Sequence, residues 1–298
     1  MCITCGCSDT AKATLTNLDS GESVPVDAHP HDGHSHSHDH NHPHTHEHHD
    51  HEHSHDHHHE HTHDTAHAHA SMHSKTISLE ADILAKNNLL AERNRGWFEG
   101  RNILALNLVS SPGAGKTTLL ERTLTDLKDG LPISVVEGDQ ETVNDAQRIK
   151  ATGCKVVQIN TGTGCHLEAD MLARGLKELN PPMDSIVMIE NVGNLVCPAL
   201  FDLGEHCKVA ILSVTEGEDK PTKYPHMFRA ADIMILNKTD LLPYISFDVD
   251  SCIAHAKSVN SDIKIFQLSA TNGDGLQDWY DWLNKQLHSS SSQAVINE

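Results

Sequence analysis

The chain has 298 residues, 42 acidic and 22 basic, for a formal net charge of −20 at pH 7 with histidine neutral. That balance argues against a nucleic-acid partner, since duplex binding relies on Lys and Arg to neutralise phosphates. No apolar run approaches the roughly 20 residues that span a bilayer, and eight cysteines without an export signal read as cytoplasmic thiolate and metal chemistry, not disulfides.

Residues 1–28 hold Cys2, Cys5 and Cys7 followed by a polar stretch. Three thiolates so close together, with the terminal amine as a fourth donor, suit square-planar Ni(II) or tetrahedral Zn(II), and the spacing does not choose between them. Residues 29–73 contain 22 of the 27 histidines, all except His166, His206, His226, His255 and His288. This low-complexity His/Asp/Glu/Ser run has no apolar periodicity and is expected to stay disordered without metal. Imidazoles interspersed with carboxylates make a modest-affinity sink for several Ni, Cu or Zn ions. Residues 74–101 read as a helix packing on the next domain. Ser78 serves as N-cap, Glu80 and Asp82 fall in the first turn, and Leu79, Ile83 and Leu90 form the apolar stripe.

From residue 102 to about 288 the pattern is strand, loop, helix, repeated. Apolar runs predict strands at Ile103–Val109, Ile133–Val136, Lys155–Ile159, Ser185–Ile189, Val209–Val214, Ile233–Leu236 and Ile263–Leu268. Helical patterns fall at Lys116–Leu127, Thr142–Lys150, Leu167–Leu179, Val249–Val259 and Leu276–Leu287, and residues 289–298 look like a flexible tail. Such alternation implies right-handed crossovers: an α/β fold with a mostly parallel sheet covered by helices on both faces.

The first strand runs into Ser110-Ser111-Pro112-Gly113-Ala114-Gly115-Lys116-Thr117-Thr118, the context a P-loop requires. Gly113 and Gly115 let the backbone wrap phosphates together with Ala114 and Thr118. Lys116 reaches the outer phosphates, and Thr117 would ligate Mg²⁺. Ser110 stands where the usual pattern begins with glycine. After the sixth strand comes Asn237-Lys238-Thr239-Asp240, whose Asp accepts the paired N1 and N2 hydrogens of guanine, so the nucleotide read is GTP. Ser269-Ala270 fits the loop that meets the guanine O6. Asp139 after the second strand and Glu190 at the end of the fourth are carboxylates placed for Mg²⁺ ligation or water positioning, although loop solubility alone would also account for them. Glu190-Asn191-Val192-Gly193 occupies the place of a D-x-x-G switch, with Gly193 positioned to meet the γ-phosphate.

Cys165-His166 is expected at the start of the helix Leu167–Leu179, where a helix N-terminus favours a metal-binding thiolate. Cys197 lies four residues past Gly193. These three come from two loops at the carboxyl ends of strands, where open α/β sheets place ligands. Cys154, Cys207 and Cys252 read as structural. Lys220 and Lys223 are candidate nucleotide contacts, possible from across a dimer, and equally plausible as surface lysines.

Taken together, Cys2-x-x-Cys5-Gly6-Cys7, the His-rich insert, the Ser-started P-loop, Cys165-His166 and Glu190-Asn191-Val192-Gly193-Asn194-Leu195-Val196-Cys197-Pro198 closely resemble the HypB family. These are the SIMIBI-class GTPase accessory proteins of [NiFe]-hydrogenase maturation, and the match runs from residue 1 to about 288. The resemblance implies low intrinsic GTP hydrolysis, a homodimer dependent on nucleotide or metal, and nickel delivery with a HypA-type chaperone to the hydrogenase large-subunit precursor. It also implies a high-affinity nickel site at Cys2, Cys5 and Cys7, and a nickel or zinc site at Cys165, His166 and Cys197. The nearest competing resemblance is the urease accessory GTPase, against which the cysteine trio and Cys165-His166 argue. A nickel store with a vestigial GTPase domain is a further alternative, disfavoured by the intact Lys116, Thr117, Asn237 and Asp240.

Overall fold

In chain order the elements are β1 (Thr14–Asn17), β2 (Ser23–Pro25), α1 (Thr65–Glu99), β3 (Ile103–Ser110), α2 (Lys116–Leu127), β4 (Ile133–Asp139) and α3 (Asn144–Ala151). There follow β5 (Lys155–Asn160), α4 (Ala169–Leu179), β6 (Ser185–Glu190), α5 (Cys197–Leu200), β7 (Cys207–Ser213), α6 (Lys220–Lys223) and α7 (Pro225–Ala230). The chain finishes with β8 (Ile233–Asn237), a 3₁₀ turn (Thr239–Tyr244), α8 (Val249–Val259), β9 (Lys264–Gln267) and α9 (Leu276–Ala294). The structure, a computed structural model, describes residues 13–18, 20–26, 65–139 and 144–294, with 65–80 and 289–294 described as helical backbone only. Cys2, Cys5, Cys7 and most of the His-rich run lie outside the described residues.

Two units separate, one of Met1–Asp27 with Glu80–Glu298 and one of Ala28–Leu79. In the first, nine strands form one sheet in the order β2-β1-β5-β4-β6-β3-β7-β8-β9. From β5 to β9 every pairing is parallel, as the alternation of elements predicts. Buried runs such as β3, β6 and β7, with no exposed position, are what a sheet covered on both faces requires. One face packs Leu106 and Leu108 against Leu119, Leu120, Leu124, Trp279 and Leu283 of α2 and α9. The other sets Ala105, Val136 and Ile159 against Phe98 of α1 and Leu172 and Leu176 of α4. Beside β7 and β8, Met227, Phe228 and Cys252 close a third cluster.

Several elements differ from the sequence-based expectation. The polar stretch before residue 28 contributes the β1–β2 hairpin, with β1 antiparallel to β5; Ala13, Leu15 and Val26 are buried in the core and Leu18 packs against it. Helix α1 begins at Thr65 and passes through Ser78 without a break. The residues before Ser78 alternate alanine with histidine and contain no Gly or Pro, so nothing stops the helix there. Helix α9 likewise continues to Ala294, past the expected frayed end at residue 289.

The C-terminal half of α1 is fastened to the loops beyond it by polar contacts. Asn87 accepts from Ala169 N and donates to Asp202 O. Asn94 donates to Ala169 O and Leu203 O, while Arg95 reaches Glu205 O and pairs with Asp202 at 2.5 Å. Gly204, at φ +84, lies so close that a Cβ there would stand 2.3 Å from Ala91 O.

Candidate nucleotide and metal sites

At the carboxyl ends of the strands, a cleft of about 480 Å³ is lined by Ser110–Gly113, Gly115–Thr118, Asp139, Asp145, Arg148, Val192, Gly193 and Lys238. β3 delivers the loop and α2 takes it away. Gly115 at the turn has φ +93, and a Cβ would stand 2.6 Å from Asn237 Nδ2, so no other residue fits. Asn237 Nδ2 donates to Ala114 O at 3.0 Å and its Oδ1 accepts from Lys238 N and Ala270 N. One side chain therefore locks the Asn237–Asp240 loop to the phosphate loop. Lys238 lies in the left-handed region (φ 64) and its Nζ caps Gly113 O at 2.6 Å. Ser269 Oγ donates to Asp240 Oδ1 at 2.6 Å, aligning that carboxylate.

Glu190 Oε1 accepts from Thr117 Oγ1 at 2.6 Å and stands 3.4 Å from Lys116 Nζ. The other oxygen, Glu190 Oε2, is buried without a hydrogen-bond partner, as is Glu137 Oε2 on the adjacent strand in register. Burial, and then the Glu190 charge, push the Glu137 carboxyl up to about 9, so it stays protonated at neutral pH. Thr117, Asp139 and Glu190 are all oxygen donors, and an orphaned carboxylate oxygen beside the phosphate loop fits a magnesium ion. Gly193 lies against the P-loop, its notional Cβ 3.2 Å from the Pro112 ring.

Cys165, His166 and Cys197 form the one group of three metal-ligating side chains among the described residues, with their donor atoms within 4.8 Å of one another. The two sulfurs are 2.9 Å apart, and Cys165 Sγ is 3.6 Å from His166 Nδ1. All three are buried. Burial drops the His166 pKa to about 4, which keeps the imidazole neutral, the form that ligates. Its Nε2 is buried without a hydrogen-bond partner, with Glu168 Oε1 at 4.0 Å. Phe201 stacks on the ring at 3.9 Å between centroids. Two thiols and an imidazole suit nickel or zinc.

One expectation needs correcting. Helix α4 starts at Ala169 with Glu168 at its N-cap, so Cys165 and His166 precede the helix and do not sit in its first turn. They are presented instead by the tight turn Thr161–Gly164, closed by Gly164 N to Thr161 O and Thr161 Oγ1 to Gly164 O. Among the described residues, the remaining cysteines are packing residues: burial raises Cys154 and Cys252 to about 12 and Cys207 higher still. Lys220 pairs with Glu216 and lies over the Tyr224 ring, and Lys223 pairs with Asp219. Neither lysine lines the nucleotide cleft.

Sequence reasoning passed over Arg148, which lines that cleft while paired with Glu121 and Asp145; a lone arginine on a helix carries no local signal. It also passed over Phe201 and Glu137. A larger cleft, about 680 Å³ between Lys128, Pro132, Cys154, Lys155 and Pro181, contains none of the motif residues.

Comparison with known proteins places the chain in a family. Residues 104–267 match the CobW/HypB/UreG nucleotide-binding domain. Hydrogenase maturation factor HypB of Escherichia coli (strain K12) is 61% identical over 212 residues, 71% of this chain and 73% of that protein. The factor of the same name from Azotobacter vinelandii is 57% identical over 213 residues, 72% of this chain and 70% of that protein. Among solved structures, HypB from Archaeoglobus fulgidus superposes with a TM-score of 0.64 at 38% identity, covering 68% of this chain and 99% of that one. HypB from Helicobacter pylori in complex with nickel gives the same score and identity, covering 68% and 96%. The chain belongs to the CobW/HypB/UreG nucleotide-binding family and, within it, to the HypB hydrogenase maturation factors.

Proposed function

We propose that the chain is a GTP-hydrolysing, nickel-binding metallochaperone that serves nickel insertion into the [NiFe]-hydrogenase large-subunit precursor. The observation that carries this reading is the short path from the phosphate cleft to the thiols: Glu190 holds Thr117, and Cys197 follows on the same segment beside Cys165 and His166. The nickel complex of the Helicobacter pylori relative supports nickel as the cargo. Zinc competes for the same two thiols and imidazole.

In the mechanism, Glu190 contacts Lys116 and Thr117. Entering phosphates displace Glu190 from Lys116, whose ammonium turns to the β- and γ-phosphates, while the amides of Gly113–Thr117 enclose them. Asp240, aligned by Ser269, selects guanine, and the backbone of Ser269-Ala270 meets its O6. Thr117, Asp139 and Glu190 hold Mg²⁺, which when bound neutralises charge developing on the transferred phosphoryl group. Gly193 turns its amide toward the γ-phosphate and leaves when that group departs. GTP favours a homodimer, intrinsic hydrolysis is slow, and a HypA-type chaperone receives or relays the metal in the cytoplasm. The Cys2, Cys5 and Cys7 site takes nickel with high affinity, and the His-rich run stores it.

The test is nickel affinity by chelator competition in full-length protein with Cys2, Cys5 and Cys7 changed to Ser. Loading with GDP and with a non-hydrolysable GTP analogue is expected to give affinities differing about fivefold or more. Equal affinities in the two states would sink the switch.

A further inference from the structure

A buried polar circuit joins the two sites. Asn191, 1% exposed, follows Glu190 directly. Its Oδ1 accepts from Val192 N at 2.9 Å, within the Glu190–Gly193 segment, and from Leu167 N at 3.2 Å, the residue after His166. Its Nδ2 donates to Asn107 Oδ1 at 3.2 Å. Asn107, fully buried in β3, donates onward to Glu205 Oε1 at 2.9 Å. Glu205 Oε2 accepts from Leu203 N, and Glu205 Oε1 stands 3.5 Å from Lys208 Nζ. Lys208, also buried, donates to Pro198 O at 2.9 Å and Phe201 O at 3.5 Å.

The circuit therefore has two arms. One runs from Asn191 to the backbone carrying Cys165 and His166. The other runs through Asn107, Glu205 and Lys208 to the turn that begins at Cys197, and to Phe201 on the His166 ring. Buried side-chain hydrogen bonds are costly to leave unmade. A shift of Asn191 with the switch must then either carry both arms or break them. Thr161, which accepts Gly164 N and donates its own N–H to Asp139 O, ties the Cys165 loop to β4 by backbone, but it does not reach Cys197.

We propose that Asn191 is the positioning residue through which nucleotide state sets the metal geometry of Cys165, His166 and Cys197, with Lys208 transmitting its second arm. This rests on the switch reading above and adds the route by which the switch acts. A residue that only stabilises the fold would lower nickel affinity equally in both nucleotide states. A coupling residue changes the ratio between them.

The measurement is the ratio of nickel dissociation constants in GDP-loaded and GTP-analogue-loaded full-length protein, again with Cys2, Cys5 and Cys7 changed to Ser. In Asn191→Ala the ratio is expected to fall to within about twofold of unity from the fivefold or more of the parent. Lys208→Met, remote from the nucleotide cleft, is expected to retain metal-free GTP hydrolysis and lose part of the ratio, with nickel–thiolate absorption no longer changing between states. If Asn191→Ala does not fold, Lys208→Met decides alone: an unchanged ratio and unchanged absorption overturn the proposal. A parent ratio that survives Asn191→Ala overturns this route and leaves the switch intact. A parent ratio of one removes both.

Discussion

Asp240 presents one carboxylate oxygen to Ser269, and in the proposed function the other reads the base. In Asp240→Asn the amide faces guanine's N1 and N2 hydrogens with a donor, leaving buried polar groups unmatched. GTP affinity is expected to fall roughly 100-fold or more. Xanthosine triphosphate, with a carbonyl at C2, is expected to recover binding; competition against a fluorescent nucleotide measures both. His166 makes a second residue-scale argument. Its folded pKa, about 4, lies below the ordinary imidazole value of about 6.5, because burial disfavours the imidazolium. The unfolded chain takes up the proton first, so this share of stability is full above pH 6.5 and is lost as pH falls toward 4. By linkage the loss is on the order of 2–3 kcal/mol by pH 4.5. Urea unfolding of metal-free protein is expected to show a steeper acid loss in the parent than in His166→Gln.

Helix α1 is an element whose position depends on one glycine. Gly204 allows the loop after β6 and α5 to meet the α1 backbone, in a left-handed conformation at φ +84. Gly204→Ala combines conformational strain with a direct clash and is expected to cost about 2 kcal/mol or more. Thermal unfolding should show the loss, and nickel affinity should fall with it, because Asn87 and Asn94 hold both Ala169 and the 202–203 carbonyls. Elements like β3, β6 and the P-loop were legible because their signals are local: unbroken apolar runs, and glycines with a lysine at fixed spacing. The β1 strand was not, since Thr14–Asn17 is only four residues long and gains its order from β5, far along the chain. Ser78 misled as an N-cap because a capping residue signals a helix start only where the preceding residues do not continue the helix. Cys165 and His166 were legible as candidates. Their presentation by a Thr161–Gly164 turn was not, since it depends on hydrogen bonds a spacing rule cannot read. The Asn191 circuit was equally hidden: its members are separated by up to 101 positions in sequence, from Asn107 to Lys208, and meet only across β3, β6 and β7.

Across the whole molecule, the candidate chemistry divides between two stretches of sequence. Ala28–Leu79, which holds the His-rich run, separates from the unit bearing the nucleotide cleft and the inner thiols. Deleting residues 29–64 is therefore expected to lower nickel stoichiometry by several ions and leave GTP hydrolysis within about twofold, as imidazole-rich tracts bind metal without a folded core. Equilibrium dialysis and a phosphate-release assay measure the two outcomes. The remaining N-terminal segment is fixed differently, because β1 runs antiparallel to β5 with Thr14 opposite Asn160. Ala13 then stands about one strand spacing, roughly 5 Å, from Thr161. Cys165 is four residues further on, and an extended residue covers at most about 3.5 Å, so Ala13 and Cys165 are within about 20 Å of each other. The six-residue stretch from Cys7 to Ala13 can span the same distance. The hairpin is thus a mooring: it fixes Thr14 beside the strand that leads into the Cys165 turn.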